Sequence, residues 1–546
     1  MKSFSRITKI LKYGNEFMHV FRIILLFYSC QTFAQPAIQW QRTIGGNFAE
    51  ELEAVRQTYD NGFILSGHST SNISANKTEN CRGRYDYWIV KTDSLGNVEW
   101  DKTFGGDLDD ELFDLDLTTD SGFIVGGRAL SGVSGDKTGS SRGNADYWIL
   151  KLNSSGNIQW QRTYGGFNDD ELFCLRQTHD GGYLVGGYSN SGYTVEHPFI
   201  SFTTDFWLLK LDSAGDIQWQ KSIGGSAQDF LYSLDATTDG GSIIGGYSYS
   251  NASGDKTDNN WGDSDFWILK LSFTGQIQWQ KTIGGTSIDQ LTKIFQTSDG
   301  GYIAAGYSWS DVSGLKTENS RGRDDYWIVK LNAQGNIQWQ KTIGGDSNDI
   351  IFDIKEMTNG TFIAGGYSTS GISGDKTEAG KGYEDYWLVK LSATGQLLWE
   401  KTIGGNGDDE LWSLDITRDG GYILAGTSLS GISGDKTDDQ YGAIGYGDYW
   451  ILKMERDTTT SVEEIENDNI YSLYPNPVTS SLSFSFKTQA KRDISIVDET
   501  GRMLMSFQSN SITQSIDLSN YSAGIYFLLI REDENRNIYS KKIVIL

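Results

Sequence analysis

The sequence predicts an all-β chain, a seven-bladed β-propeller with strand-exchange closure followed by a small C-terminal β-sandwich. Three observations carry this prediction. Tryptophans recur with near-constant spacing, at Trp40, Trp100, Trp160, Trp219, Trp279, Trp339 and Trp399, and again at Trp88, Trp148, Trp207, Trp267, Trp327, Trp387 and Trp450; a fixed period of this size means stacked or radially arranged units. Each unit alternates β-branched and aromatic residues with polar ones, the mark of strands. Finally, the array opens with half a hairpin, IQWQRTIGG, and ends at Asp448–Met454 lacking that half. Pairing Ile38–Ile44 with Tyr449–Met454 would complete the last sheet and leave only short protected edges.

The unit is typified by Asp325–Gly345, DYWIVKLNAQGNIQWQKTIGG. Its two halves read as a hairpin. A three-residue loop, Ala333-Gln334-Gly335, puts Gly where a type I turn with a bulge needs a left-handed residue. Parity then places Trp327 and Trp339 on one face, Val329 opposite Trp339 and Leu331 opposite Ile337. All fourteen tryptophans are expected in the core.

A second strand pair precedes each hairpin. Turn signals led by Asp60, Asp120, Asp180, Asp239, Asp299, Asn359 and Asp419 join its strands. Runs such as Tyr302–Gly306 are continuously apolar or small, so both of their faces should be covered. Four strands in each of seven units fill residues 35–454.

Composition agrees. Gly 65 against Pro 4, with 13% aromatic residues, suits short strands and tight turns. A net charge of −25 repels nucleic acid and anionic lipid, so no nucleic-acid partner is expected. Residues 1–34 read as a signal peptide: basic residues lead into Ile23–Phe27, and Thr32-Phe33-Ala34 suits cleavage before Gln35. Met18 offers an alternative start. The apolar run is too short to span a bilayer, and no other transmembrane segment is expected. Cys81 and Cys174 occupy different phases of the repeat and are not expected to bridge. A monomer is expected.

Residues 455–469 are an acidic linker, and from about 470 short strands with turn signals suit a small sandwich. Tyr474-Pro475-Asn476-Pro477, the Gly501-Arg502 turn, Asp517-Leu518-Ser519 with Gly524-Ile525-Tyr526, and Lys541–Leu546 follow one another in the order found in the type IX secretion system C-terminal sorting domain, which residues 470–546 resemble. The resemblance implies export through the general secretory pathway, then passage across the outer membrane by the type IX machinery, leaving the protein extracellular or on the outer-membrane surface of a Gram-negative bacterium. The repeats resemble tandem DGGY/GDKT/DYW repeats of uncharacterised surface proteins. Some such groupings carry an endoglucanase label, but no catalytic residues can be matched to it.

Candidate chemistry is weighed against scaffold roles. Glu50, Asp110, Asp170, Asp229, Asp289, Asp349 and Asp409 follow each hairpin tryptophan by ten residues. They could ring one face and bind Ca²⁺, although one carboxylate per unit makes no coordination shell, and capping of local turns is the favoured role; no firm cofactor is assigned. The Ser-Gly-Asp-Lys-Thr loops and the DYW aspartates recur in so many units that they read as scaffold. Departures from the repeat are better ligand-binding candidates: His197, Phe199 and Phe202 in a replaced loop, Tyr441 and Tyr446 in a longer one, and Tyr249, Trp261 and Trp309 outside the pattern. Exposed aromatics of this kind could stack on sugars or anchor surface proteins. No catalytic triad or zinc spacing is present. The expected role is binding, adhesion or surface structure, with glycans as candidate partners; the alternative is a polysaccharide-degrading glycoside hydrolase.

Overall fold

A computed structural model describes residues 33–192, 203–442, 445–459, 470–474, 477–487, 489–498, 503–532 and 538–546. Among these residues there are strands and no α-helix, so the protein is all-β. The chain divides into two compact units, Gln35–Asp457 and a second comprising Thr458–Leu546 with the residues up to Ala34.

The first unit holds seven four-stranded antiparallel sheets. In the first sheet the strands are Glu50–Gln57, Phe63–Ser69, Asp86–Thr92 and Val98–Phe104, in that spatial order. The seventh draws three strands from one end of the unit, Asp409–Ile416, Tyr422–Ser428 and Asp448–Met454, and its fourth, Ile38–Ile44, from the other. Ile38 pairs with Met454 and Ile44 with Tyr449, as expected from the incomplete ends of the array.

Neighbouring sheets are joined by one recurring contact. The aromatic residue after the third-strand aspartate lies against the third-strand tryptophan of the next sheet: Tyr87 on Trp148, Tyr147 on Trp207, Phe206 on Trp267, Phe266 on Trp327, Tyr326 on Trp387 and Tyr386 on Trp450. Tyr449 of the seventh sheet lies on Trp88 of the first, centroids 4.8 Å apart, so the series returns to its start. Leu52, Val55 and Trp88 share a core with Ile423, Ala425 and Ile451 across the same junction. Second strands such as Tyr302–Ser308 are buried almost throughout, as their small apolar composition requires.

The hairpin register differs from the parity expectation. Leu331 does face Ile337, but Lys330, not Val329, is the partner of Trp339, because the ladder shifts between Lys330 and Leu331. An extra residue in the returning strand reverses the facing of every residue beyond it. The two tryptophan sets therefore part company. Trp327 and its six equivalents are fully buried, whereas the fourth-strand tryptophans, Trp399 excepted, are half-buried. These pack between sheets instead: Trp279 lies 5.6 Å from the Tyr302 ring and against Gly335, whose φ of +76° suits the turn and where a Cβ would come within 2.9 Å of the indole.

The repeated motifs are absorbed by the scaffold. The buried lysine of the GDKT loop stands over the third-strand tryptophan, as in Lys376 over Trp387 at 5.3 Å and Lys436 over Trp450 at 5.4 Å. The turn aspartate pairs with a third-strand lysine, as in Lys330–Asp299 at 2.9 Å. Cys81 and Cys174 are free thiols.

The second unit contains two main sheets. Ile470–Tyr474, Ser481–Phe486 and Thr513–Asp517 form one; Met503–Ser509, Arg492–Asp498, Gly524–Glu532 and Ile538–Ile545 form the other. Leu482, Phe484 and Ile516 from the first share a core with Ile494, Ile496, Leu528 and Ile543 from the second. Val478 bridges to Ile545, holding the start of this unit against the chain's last residues.

Candidate functional site

All seven first strands carry the same irregularity. The ladder to the second strand skips one residue, between Leu52 and Ala54 in the first sheet and at the matching place in the other six. The skipped residues are Glu53, Phe113, Phe173, Tyr232, Thr292, Phe352 and Trp412. A bulge frees a side chain from the ladder and re-aims it. All seven line one cavity of about 390 Å³, together with the residue that follows each of them: Ala54, Asp114, Cys174, Ser233, Lys293, Asp353 and Ser413.

The skipped residues form the upper wall. Phe113 stacks on Phe173 at 4.8 Å, Phe173 meets Tyr232 at 4.8 Å, and Tyr232 stacks on Tyr247 at 5.5 Å. Phe352 and Trp412 make a second aromatic pair, 4.1 Å apart. Glu53, from the sheet between those of Trp412 and Phe113, is the one carboxylic acid of the series. It has no hydrogen-bond partner among the described residues. Burial pushes its carboxyl up to about 8, and the nearby Glu51, Glu111 and Glu410 add to the shift against His68.

The floor is an ion network. Asp114 Oδ2 accepts from Arg176 at 2.8 Å and from the Leu175 amide at 2.9 Å, while Oδ1 accepts from the Leu115 amide and faces Arg56 at 3.6 Å. Asp353 lies 3.2 Å from Lys355 and 3.6 Å from Lys293, and accepts from the Ile354 and Leu414 amides. Burial alone would raise both carboxyls, but the surrounding cations hold them below the ordinary value. Burial brings Lys293 down to about 8. Arg56, Arg176 and Lys293 also line a second cavity, of about 460 Å³, with Lys355, Asp235 and Asp415.

Around the aromatic wall, acids gather on one side. Glu51 faces His68 at 3.2 Å, and Arg128 bridges Glu111 at 2.8 Å and Glu171 at 3.0 Å. Glu410 is raised to about 8 by burial and by its neighbour Glu384. On the other side the equivalent second-strand positions hold Tyr188, Tyr247, Tyr307 and Tyr367.

Of the residues singled out from the sequence, those that are described fall elsewhere, with one exception. Tyr249 lies 6.0 Å from Tyr247 and 3.5 Å from the Gln290 amide, beside the cavity wall. Trp261 is exposed in a separate cavity with Asn259 and Lys281, Trp309 and Tyr441 are exposed, and Tyr446 packs edge-on to Phe48 at 5.6 Å. His197, Phe199 and Phe202 lie outside the described residues. The seven acids Glu50, Asp110, Asp170, Asp229, Asp289, Asp349 and Asp409 are fully buried, one per sheet. Each accepts from the backbone amide of a glycine four residues earlier, as in Gly345 to Asp349 at 2.7 Å, and six of them from a serine hydroxyl such as Ser370 to Asp349 at 2.9 Å; Glu50 takes its hydroxyl bond from Ser69. Among the described residues no three His, Cys, Asp or Glu side chains are grouped to hold a metal ion. In the second unit Tyr474 and Pro477 are exposed, Gly524 opens a strand, and the Tyr526 hydroxyl donates to the Ser522 carbonyl at 2.8 Å; Pro475, Asn476 and Gly501 lie outside the described residues.

Sequence reasoning missed the cavity although a signal was present. Leu52 and Val55, and their counterparts in every repeat, are both apolar and both buried. Two core residues three apart cannot share a face in a regular strand, so one residue must be inserted between them. The inserted position and the one after it vary from repeat to repeat.

Comparisons with known proteins bear on the two units differently. The regulatory protein FlaEY of Caulobacter vibrioides is 24% identical over 345 residues, which are 55% of this chain and 35% of that protein, so the chain spans about a third of that relative's length. PorZ, a surface component of the type IX secretion system of Porphyromonas gingivalis, aligns over 95% of this chain and 88% of its own at 11% identity, with a TM-score of 0.19. A DUF4221 family member from Bacteroides vulgatus aligns over 78% and 98% at 11% identity, with a TM-score of 0.32. No helix among the described residues is long and apolar enough to cross a membrane. Residues 472–546 match the secretion system C-terminal sorting domain, so the chain carries a sorting domain of the type IX secretion system, which indicates export to the cell surface or the extracellular space.

Proposed function

We propose that the seven sheets form a seven-bladed β-propeller, closed by Ile38–Ile44, and that the exported protein is a binding or adhesion module whose ligand enters the aromatic-lined cavity. The supporting observation is the bulge repeated in every first strand, which delivers seven otherwise variable side chains to one place. The residue before each bulge is a buried Leu or Ile in every sheet, whereas the inserted residue and the one after it, both lining the cavity, vary from sheet to sheet. Stacked rings with a few polar groups suit a saccharide or another ligand with a flat apolar face.

The hydrolase reading is weaker. Glu53 keeps its proton near neutrality, as a general acid must, but a partner carboxylate has to hold a water or attack a sugar carbon. Asp114 and Asp353, the ionised carboxylates of the cavity, already spend their oxygens on backbone amides and cations.

The test is a glycan array with the full secreted chain, run beside Trp412→Ala and Phe173→Ala variants and a reducing-sugar release assay. Binding that is lost in both variants, without sugar release, is the expected result. Release of reducing ends that survives in neither Glu53→Gln nor Asp114→Asn would replace this reading with the hydrolase.

A further inference from the structure

Among the aromatic wall residues the half-buried Glu53 stands out, because the two buried carboxylates of the cavity have cations and amides around them. Asp114 has Arg56 and Arg176; Asp353 has Lys293 and Lys355. Of the acids near Glu53, Glu51 has His68 and Glu111 has Arg128, while Glu410 shares a hydrogen bond with Glu384. Glu53 is left facing the cavity, flanked in the series by Trp412 and Phe113. The wall on this side is acidic over three consecutive sheets, with Glu410, Glu51 and Glu111 as neighbours.

Resting on the binding reading above, we propose that the ligand presents an organic cation, a protonated amine or a methylated ammonium, which sits against Glu53 within the aromatic wall. Ring faces carry negative quadrupole density and attract a cation that brings its own apolar shell, and a desolvated carboxylate supplies the counter-charge. An inorganic cation would forgo the rings, and a neutral sugar would leave the Glu53 carboxyl without a partner. An anion would meet Arg56, Arg176 and Lys293, whose charges Asp114 and Asp353 already answer.

The charge on Glu53 makes the proposal measurable. The groups facing it are His68 and Glu51 from its own sheet, Glu111 from the second and Glu410 from the seventh. With its carboxyl at about 8 in the empty cavity, Glu53 carries a proton at pH 7 and must release it when a cation docks. Affinity therefore rises with pH up to about 8, and binding at pH 7 gives off protons.

The probe is benzyltrimethylammonium, titrated calorimetrically into the full secreted chain at pH 6, 7 and 8 in two buffers of different ionisation enthalpy, with benzyl alcohol as the neutral counterpart. The expected result is saturable binding of the cation that tightens from pH 6 to 8, releases close to one proton at pH 7, and weakens at least tenfold in Glu53→Gln. Thermal melting checks that this variant is folded. Equal binding of the two probes, or cation binding indifferent to Glu53→Gln, overturns the proposal. No cation binding alongside a glycan that depends on Trp412 overturns it too and leaves the binding reading standing. If Trp412→Ala and Phe173→Ala alter the binding of no probe and no glycan, both readings fall.

Discussion

The Tyr449 hydroxyl donates to the main-chain carbonyl of Trp88 at 3.2 Å, with the two rings 4.8 Å apart. The residues come from the seventh and the first sheet, and the same bond joins Tyr147 to Trp207 within the array at 3.1 Å. A contact at the seam that matches the interior contacts implies a seam as strong as they are. Tyr449→Phe and Tyr147→Phe should each cost about 0.5–1.5 kcal/mol in chemical denaturation, with equal midpoint shifts. A seam variant that costs nothing while the interior one is destabilising would mean that the two sheets part in solution.

Removing Ile38–Ile44 uncovers the edge of Asp448–Met454, whose backbone groups pair with that strand. An uncovered, apolar strand edge templates pairing with other chains. The truncated protein should elute as dimers or larger species in size-exclusion chromatography, and the intact chain as a monomer. Adding a synthetic Ala37–Gly46 peptide should restore the monomer.

Asp114 joins two guanidinium groups from different sheets. Asp114→Ala leaves Arg56 and Arg176 buried without their shared anion, a change expected to cost about 3–5 kcal/mol in urea unfolding. The double variant Asp114→Ala with Arg176→Met should recover part of that loss, because one of the two stranded charges is gone.

Burial raises carboxyls throughout the sheet junctions: Glu50, Asp170, Asp265 and Asp325 reach about 7, and Asp86 about 6. A carboxyl whose folded value exceeds its unfolded value of about 4 binds more protons when folded. Its stabilising contribution is complete below about pH 4 and is lost as pH climbs through 6 and 7. The turn aspartates Asp120, Asp239 and Asp299 are held at about 2 and act only below that window. Lys256 and Lys316, lowered to about 8 by burial, regain stability only above it. The melting temperature should therefore rise on acidification from pH 7.5 to 5, and Asp325→Asn should flatten the rise. A melting temperature that falls steadily across this range would refute the assignment.

The repeat period, the four strands of each sheet and the pairing of the chain's two incomplete ends were legible because they follow from spacing and alternation alone. Hairpin register was not. Parity counted from Trp327 gave Trp339 the wrong partner, since one unpaired residue reverses every facing beyond it. The seven acids after each hairpin were legible as turn caps, and Asp349 with Gly345 and Ser370 has that geometry. The aromatics chosen for breaking the repeat were conspicuous in the loops, yet among those described Tyr249 alone stands beside the cavity wall. Residues such as Phe113 and Trp412 were passed over because they lie inside runs with the composition of a strand, where an aromatic side chain reads as core unless the bulge is recognised.

Sequence by itself determined that this chain is all-β, that seven like units precede a sorting domain, and that its tryptophans hold those units together, because periodicity and composition are local properties that survive without coordinates. Tertiary structure decided which side chains meet. Glu53 and Trp412 are 359 positions apart and share a wall only because a bulge in each first strand turns one side chain out of its ladder toward a space that no single repeat encloses.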